Sequence, residues 1–164
     1  MFLHPFAALG GAIALGVAPN LTGSLTAAFG LRAQTWSLSL EGRGDAESSK
    51  KGPVGGEVSS SILAGSIVPC LHHELILGCA IVSYGSLRGA GSGVGVPRDD
   101  RSAWVAVGVR IGIEAELIGP ITFRVHADGL APLTRTTLRL QDRDVWTTPA
   151  VALVVGVGLG LHFR

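Results

Sequence analysis

Charge is scarce in this chain. Charged residues fill 15% of its 164 positions, against about a quarter in ordinary soluble domains. Lysine occurs only at Lys50 and Lys51, side by side. A soluble domain of this size coats itself with Lys and Glu, so the composition raises the question of a membrane. The formal net charge of +1 excludes the basic face that nucleic acid requires. Disorder is excluded too, because 47% of the residues are hydrophobic and few repel one another. Aromatics are sparse, with one Tyr, three Trp and five Phe.

Long apolar runs are also missing. A spanning helix needs about 20 mostly apolar residues without interruption. Residues 5–17 are too short, Gly-rich and closed by Ala18-Pro19-Asn20; residues 151–161 are shorter still and alternate with Gly. Residues 6–17 resemble the apolar part of an export signal, but no basic segment precedes them. The alternative is that they are structural and that the export signal lies outside this sequence.

What is abundant is glycine, at 24 positions, and strict alternation. Residues 151–164 put Val151, Leu153, Val155, Val157, Leu159, Leu161 and Phe163 on one face. Ala152, Val154, three glycines, His162 and Arg164 fall on the other. A helix does not sort residues by parity; a strand does. In residues 104–117, Val105, Val107, Val109, Ile111, Ile113 and Leu117 oppose Gly108, Arg110, Gly112, Glu114 and Glu116. Ile121, Phe123 and Val125 oppose Thr122, Arg124, His126 and Asp128. Trp36, Leu38 and Leu40 oppose Glu41, Arg43 and Asp45; Leu21, Leu25, Phe29 and Leu31 oppose Thr22, Ser24, Thr26 and Arg32. Residues 8–17 alternate as well. Residues 57–69 and 75–88 read as strands with muddier parity. That makes about eight strands of around ten residues, long enough to cross a membrane at a tilt.

The connections alternate too. Those at 17–20, 30–33, 71–74 and 118–120 are short; 44–56, 89–102 and 133–148 are long and polar. With both termini on one side, every long connection falls on the other. One face of each strand is large and apolar, the other small or charged. Eight strands enclose only a narrow interior, which the small and charged face fits; the apolar face then meets lipid. Closure leaves no unpaired strand edge in hydrocarbon. The expected fold class is all-β, an eight-stranded antiparallel up-and-down transmembrane β-barrel, as one domain over residues 1–164.

The inward parity collects Glu41, Arg43, Arg110, Glu114, Glu116, Arg124, His126, Asp128, His162 and Arg164. Charges in a low-dielectric lumen must be paired, so a salt-bridge network filling the barrel is expected; a narrow polar pathway is the alternative. Cys70 and Cys79 flank the short turn at 71–75 and read as a disulfide. Two free thiols, or a metal held by Cys70, His72, His73 and Cys79, are the other readings; standard zinc spacings do not match. Trp36 and Trp104 fall near strand ends and suit aromatics at the membrane–water interface, with core packing as the alternative.

The closing segment Leu161-His162-Phe163-Arg164, with its alternating strand and near-terminal aromatic, resembles that of small eight-stranded outer-membrane β-barrels of Gram-negative bacteria. The resemblance extends over essentially the whole chain. Leu130-Ala131-Pro132-Leu133-Thr134-Arg135 and Val145-Trp146-Thr147-Thr148-Pro149 look like uncharacterised myxobacterial outer-membrane proteins, which bring no activity with them. The resemblance implies the bacterial outer membrane, its lipid as partner, and the barrel-assembly machinery during biogenesis. Lipid A deacylases in such barrels carry a His-x-Ser pair; here the stretch is His126-Ala127-Asp128, without the nucleophile. No enzyme activity, catalytic residue, cofactor or metal is therefore expected. Arg43-Gly44-Asp45 spells an adhesion tripeptide, a match short enough to arise by chance. The leading expectation is a structural or surface-interacting barrel acting through its outer loops. A narrow solute pore and a soluble lipocalin-like binder are the alternatives.

Overall fold

The computed structural model describes residues 3–18, 20–51, 57–92, 99–134, 137–140 and 143–163. In chain order the strands are β1 (His4–Leu15), β2 (Thr22–Arg32), β3 (Trp36–Asp45), β4 (Ser48–Lys51), β5 (Glu57–His73), β6 (Ile76–Ser92), β7 (Asp99–Ile118), β8 (Ile121–Pro132), β9 (Thr137–Leu140), β10 (Arg143–Thr147) and β11 (Ala152–His162). Eight of them form the wall: β1, β2, β3, β5, β6, β7, β8 and β11. Each wall strand pairs antiparallel with the one before it. The last, β11, closes on the first from Phe6↔His162 to Leu15↔Leu153. The barrel is closed, antiparallel and up-and-down.

Short links sit at one end. Ala33–Thr35, Glu74–Leu75 and Gly119–Pro120 join β2–β3, β5–β6 and β7–β8. Glu74 takes φ 54° and Gly119 φ 57°, the left-handed conformation that lets so tight a link reverse the chain. The long connections leave the opposite end. One carries β4, which pairs with the upper part of β5 at Ser48↔Ser60. Another carries the separate β9–β10 hairpin, which includes Trp146. Strands β5, β6 and β7 have 17, 17 and 20 residues, against 10 to 12 in the other wall strands. They rise beyond the rest of the wall on the long-loop side.

The two faces follow parity. Leu25 (77% exposed), Leu40, Leu63, Val109 and Ile111 stand outward, as do the odd-numbered residues of β11. Ala12, Ala14, Ser24, Ser37, Ser39, Ala64, Ala106 and Ala152 are buried inside. This is the reverse of a soluble protein: the large apolar side chains are on the outside. A closed barrel with an apolar belt satisfies its backbone internally and offers hydrocarbon to hydrocarbon, the condition for spanning a bilayer.

Small inward residues are a steric requirement. A Cβ on Gly108 would lie 2.3 Å from the Gly129 carbonyl oxygen, and one on Gly30 2.3 Å from that of Leu38. On the outward face, Gly23, Gly78 and Gly129 have nothing within 4 Å of such a Cβ.

The lumen is not polar throughout. Ile62, Val68, Leu77, Ile81 and Leu87 of β5 and β6 point inward and are buried with Trp104 and Leu130. Their parity is muddy in the sequence because both faces of β5 and β6 are apolar. Cys70 and Cys79 are direct cross-strand partners and form a disulfide inside this apolar side. The metal reading of this hairpin falls away with the bond, since a disulfide sulfur is not a thiolate ligand.

Candidate functional site

Four strands build the charged side of the lumen. Arg110 (β7) lies between Glu41 (β3) and Asp128 (β8). Its Nη1 and Nη2 donate to Glu41 Oε1 and Oε2 at 2.6 and 2.9 Å. Its Nε and Nη2 donate to Asp128 Oδ1 and Oδ2 at 2.7 and 2.9 Å. One guanidinium thus makes two bidentate forks, the strong geometry for a buried ion pair. The Arg110 and Asp128 side chains are each 5% exposed.

A second group lies toward the short-turn end. Arg124 donates from Nε and Nη2 to Glu114 Oε2, at 2.8 and 2.5 Å. Arg32 donates to Glu114 Oε1. The Arg124 guanidinium lies 5.9 Å from the centre of the buried Phe6 ring, and Phe6 stacks on His162 at 5.6 Å. Toward the long-loop end, Arg43 and Asp45 approach to 2.9 Å, and the aligned hydrogen bond runs from Nη2 to Oδ2 at 3.3 Å. Four arginines face four carboxylates, so the network is neutral as a whole.

Of the residues collected by parity, Glu41, Arg43, Arg110, Glu114, Arg124 and Asp128 are joined by these contacts. His126 is half-buried in the lumen; the missing side chain at Gly156 leaves room for its ring, since a Cβ there would fall 2.6 Å from it. His162 lies 3.5 Å from Thr122 Oγ1. Glu116 keeps the inward parity, paired in register with the buried Thr122. It is exposed at the short-turn end and lies close enough to Arg32 and His162 to act on their charge, without a direct ion pair among the described residues. The β7–β8 register shifts only beyond it, between Glu116 and Ile118. Arg164 lies outside the described residues.

Two members of the network, Arg32 and Asp45, were not among the residues expected in it. Both fall on the polar faces of their strands, at the last residue of each. The parity that selected Arg43 includes them.

The interface role expected of Trp104 is also corrected. Trp104 is 3% exposed and points into the lumen, with Arg43 5.6 Å from its ring centre. It shares parity with Arg110, so alternation places it inside whatever its height on the strand. Trp36 shares parity with the outward Leu38 and Leu40 and is half-buried at the start of β3. Tyr84 (69% exposed) and Phe29 also face outward. In single-Trp variants reconstituted with brominated lipid, Trp36 fluorescence is expected to be quenched and Trp104 fluorescence to be largely spared. Equal quenching would place Trp104 against lipid.

Two small cavities of about 30 and about 20 Å³ lie beside the charged group, and Glu41, Arg110 and His126 line both. Each has room for about one or two waters.

A nucleophilic centre is not assembled around His126 and Asp128, because Asp128 is taken up by Arg110. A Ser–His contact does occur elsewhere, between Ser37 Oγ and His72 Nε2 at 2.8 Å. Ser37 is 3% exposed, and no carboxylate among the described residues is hydrogen-bonded to His72. An activated serine needs access to substrate and a group that orients its base; this pair has neither.

No family model matches the chain, and no curated protein matches it in sequence. Its structure is similar to that of the attachment invasion locus protein of Yersinia pestis. The TM-score is 0.66 at 10% identity, over 99% of this chain and 100% of the other. It is also similar to Neisserial surface protein A, with a TM-score of 0.58 at 10% identity over 98% and 97% of the chains. A major outer membrane protein from Thermus thermophilus gives 0.58 at 10% identity over 99% and 100%. At such identities the likeness is one of fold, and the fold is that of the small eight-stranded outer-membrane barrels.

Proposed function

We propose that this chain is an integral outer-membrane protein whose barrel is a closed scaffold and whose outer strands and loops meet partners at the cell surface. The observation that carries the scaffold reading is the filled lumen. The Glu41–Arg110–Asp128 layer spans it between two water-sized cavities, and Val17, Ile62, Leu87 and Ala152 are buried toward the long-loop end. The rise of β5–β7 beyond the rest of the wall supports the surface role, since it holds paired backbone above the bilayer. The Yersinia pestis protein with this fold is named for attachment and invasion and has been crystallised with the heparin analogue sucrose octasulfate. Fold alone does not transfer that role. The narrower likeness to myxobacterial outer-membrane proteins supplies no activity either, and no reaction is assigned. Outer-membrane lipid is the standing partner, with the barrel-assembly machinery during biogenesis.

Planar-bilayer recording tests the scaffold reading. The refolded barrel is expected to give no steady current at moderate voltage. A reproducible single-channel conductance would overturn it in favour of a narrow solute pore.

A further inference from the structure

Two arginines face outward above the lipid-facing belt. Arg88 of β6 and Arg101 of β7 are direct partners in the ladder, and both are exposed. Like charges placed directly opposite on a sheet repel and weaken it. Neither arginine has an ion pair or side-chain hydrogen bond among the described residues. On the other side of Arg88 the register places Ser61 of β5. The row therefore reads hydroxyl, guanidinium, guanidinium.

The height and direction of this row identify what it meets. The row beneath it is Leu63, Ser86 and Ala103, and the next is Gly65, Tyr84 and Val105. Leu63 is 66% exposed and Tyr84 69%. The arginines have the same outward parity as these lipid-facing residues, roughly 7 Å along the strand above Leu63. A bilayer whose hydrocarbon matches the belt below would end near that level, where headgroup phosphates begin. The pair stands on the outward face of the wall and not in the lumen. A soluble anion would meet loop tips first; a lipid phosphate lies beside the wall.

We propose that Arg88 and Arg101 form a clamp for the phosphate of an anionic lipid in the outer leaflet. Each guanidinium offers a planar fork matched to phosphate oxygens. The anion cancels the repulsion that the register otherwise imposes. The lipid tail lies along the belt below, over Tyr84, Val82 and Val107, so charge and apolar contact act together.

The test uses protein refolded in dodecyl maltoside, with diphosphoryl lipid A as the probe. Thermal midpoints are measured for the parent chain, Arg88→Gln, Arg101→Gln and the double variant. Without lipid A, the double variant is expected to melt at or above the parent, because the repulsion is gone. With lipid A, the parent midpoint rises and the double variant's does not, and the parent binds lipid A about tenfold more tightly. Dephosphorylated lipid A, and inorganic pyrophosphate at the same concentration, should not reproduce the rise. Equal responses of parent and double variant to lipid A would overturn the proposal. So would a pyrophosphate effect as large as that of lipid A, which would make this a site for free anions. A lower midpoint of the double variant without lipid A would assign the arginines to the fold instead.

Discussion

Arg110→Met is expected to be the most damaging single change in the lumen, at about 3–5 kcal/mol of folding free energy. The substitution is close in size, so the loss is not one of volume. It leaves Glu41 and Asp128 facing each other in a buried interior, with the four hydrogen bonds that held them gone. Desolvation of two unpaired carboxylates sets the magnitude. The measurement is the fraction of protein that refolds in detergent across a urea series, compared with the parent chain. A triple variant, Arg110→Met with Glu41→Gln and Asp128→Asn, removes all three charges and is expected to recover most of the loss. If Arg110→Met refolds like the parent, the buried network does not hold the barrel together.

Ile111→Arg, one residue along the same strand, tests the opposite face. Ile111 is 65% exposed and lies near the middle of the outward run from Val105 to Leu117. An arginine at the midplane of the lipid face costs ~2–4 kcal/mol in outer-membrane barrels. The variant is therefore expected to insert poorly into bilayers and to refold at lower yield. On a soluble protein the same change at so exposed a site would stay within about 0.5 kcal/mol, so the two readings of the exterior predict different magnitudes. Unchanged insertion and stability would mean that this face meets water.

Parity carried much of the architecture into the sequence. The outward and inward faces of β2, β3, β7, β8 and β11 can be read there, because one face is large and apolar and the other small or charged. On β5 and β6 the rule weakens, since inward Val68, Leu77, Ile81 and Leu87 are as apolar as the outward Leu63 and Ile67. The rise of β5–β7 was not legible. It is built on backbone pairing through Gly89, Ala90 and Gly91, residues too small to mark a face. The same holds for β4, β9 and β10, short strands whose partners lie across a loop.

Membership in the charged lumen was largely legible, but the pairing within it was not. Arg110 meets Glu41 from 69 positions away, by reaching across the barrel from β7 to β3. That contact depends on closure and stagger, which no local pattern encodes. Trp104 shows the opposite error: its parity with Arg110 was plain, and the habit of aromatics to sit at membrane interfaces overrode it. Glu116 also follows parity, since it is paired with the buried Thr122 just before the ladder irregularity.

The most direct test of a closed membrane barrel with a lipid-facing belt is electrophoretic mobility in SDS with and without boiling, after refolding in detergent. A continuous antiparallel wall closed by β1 and β11 is expected to resist SDS until heated. The unboiled sample should then run at a different apparent mass from the boiled one and give a β-type circular dichroism spectrum. A chain that instead stays folded and soluble without detergent, with no heat-dependent shift, would contradict the account. Its apolar belt would have to be covered by something other than lipid.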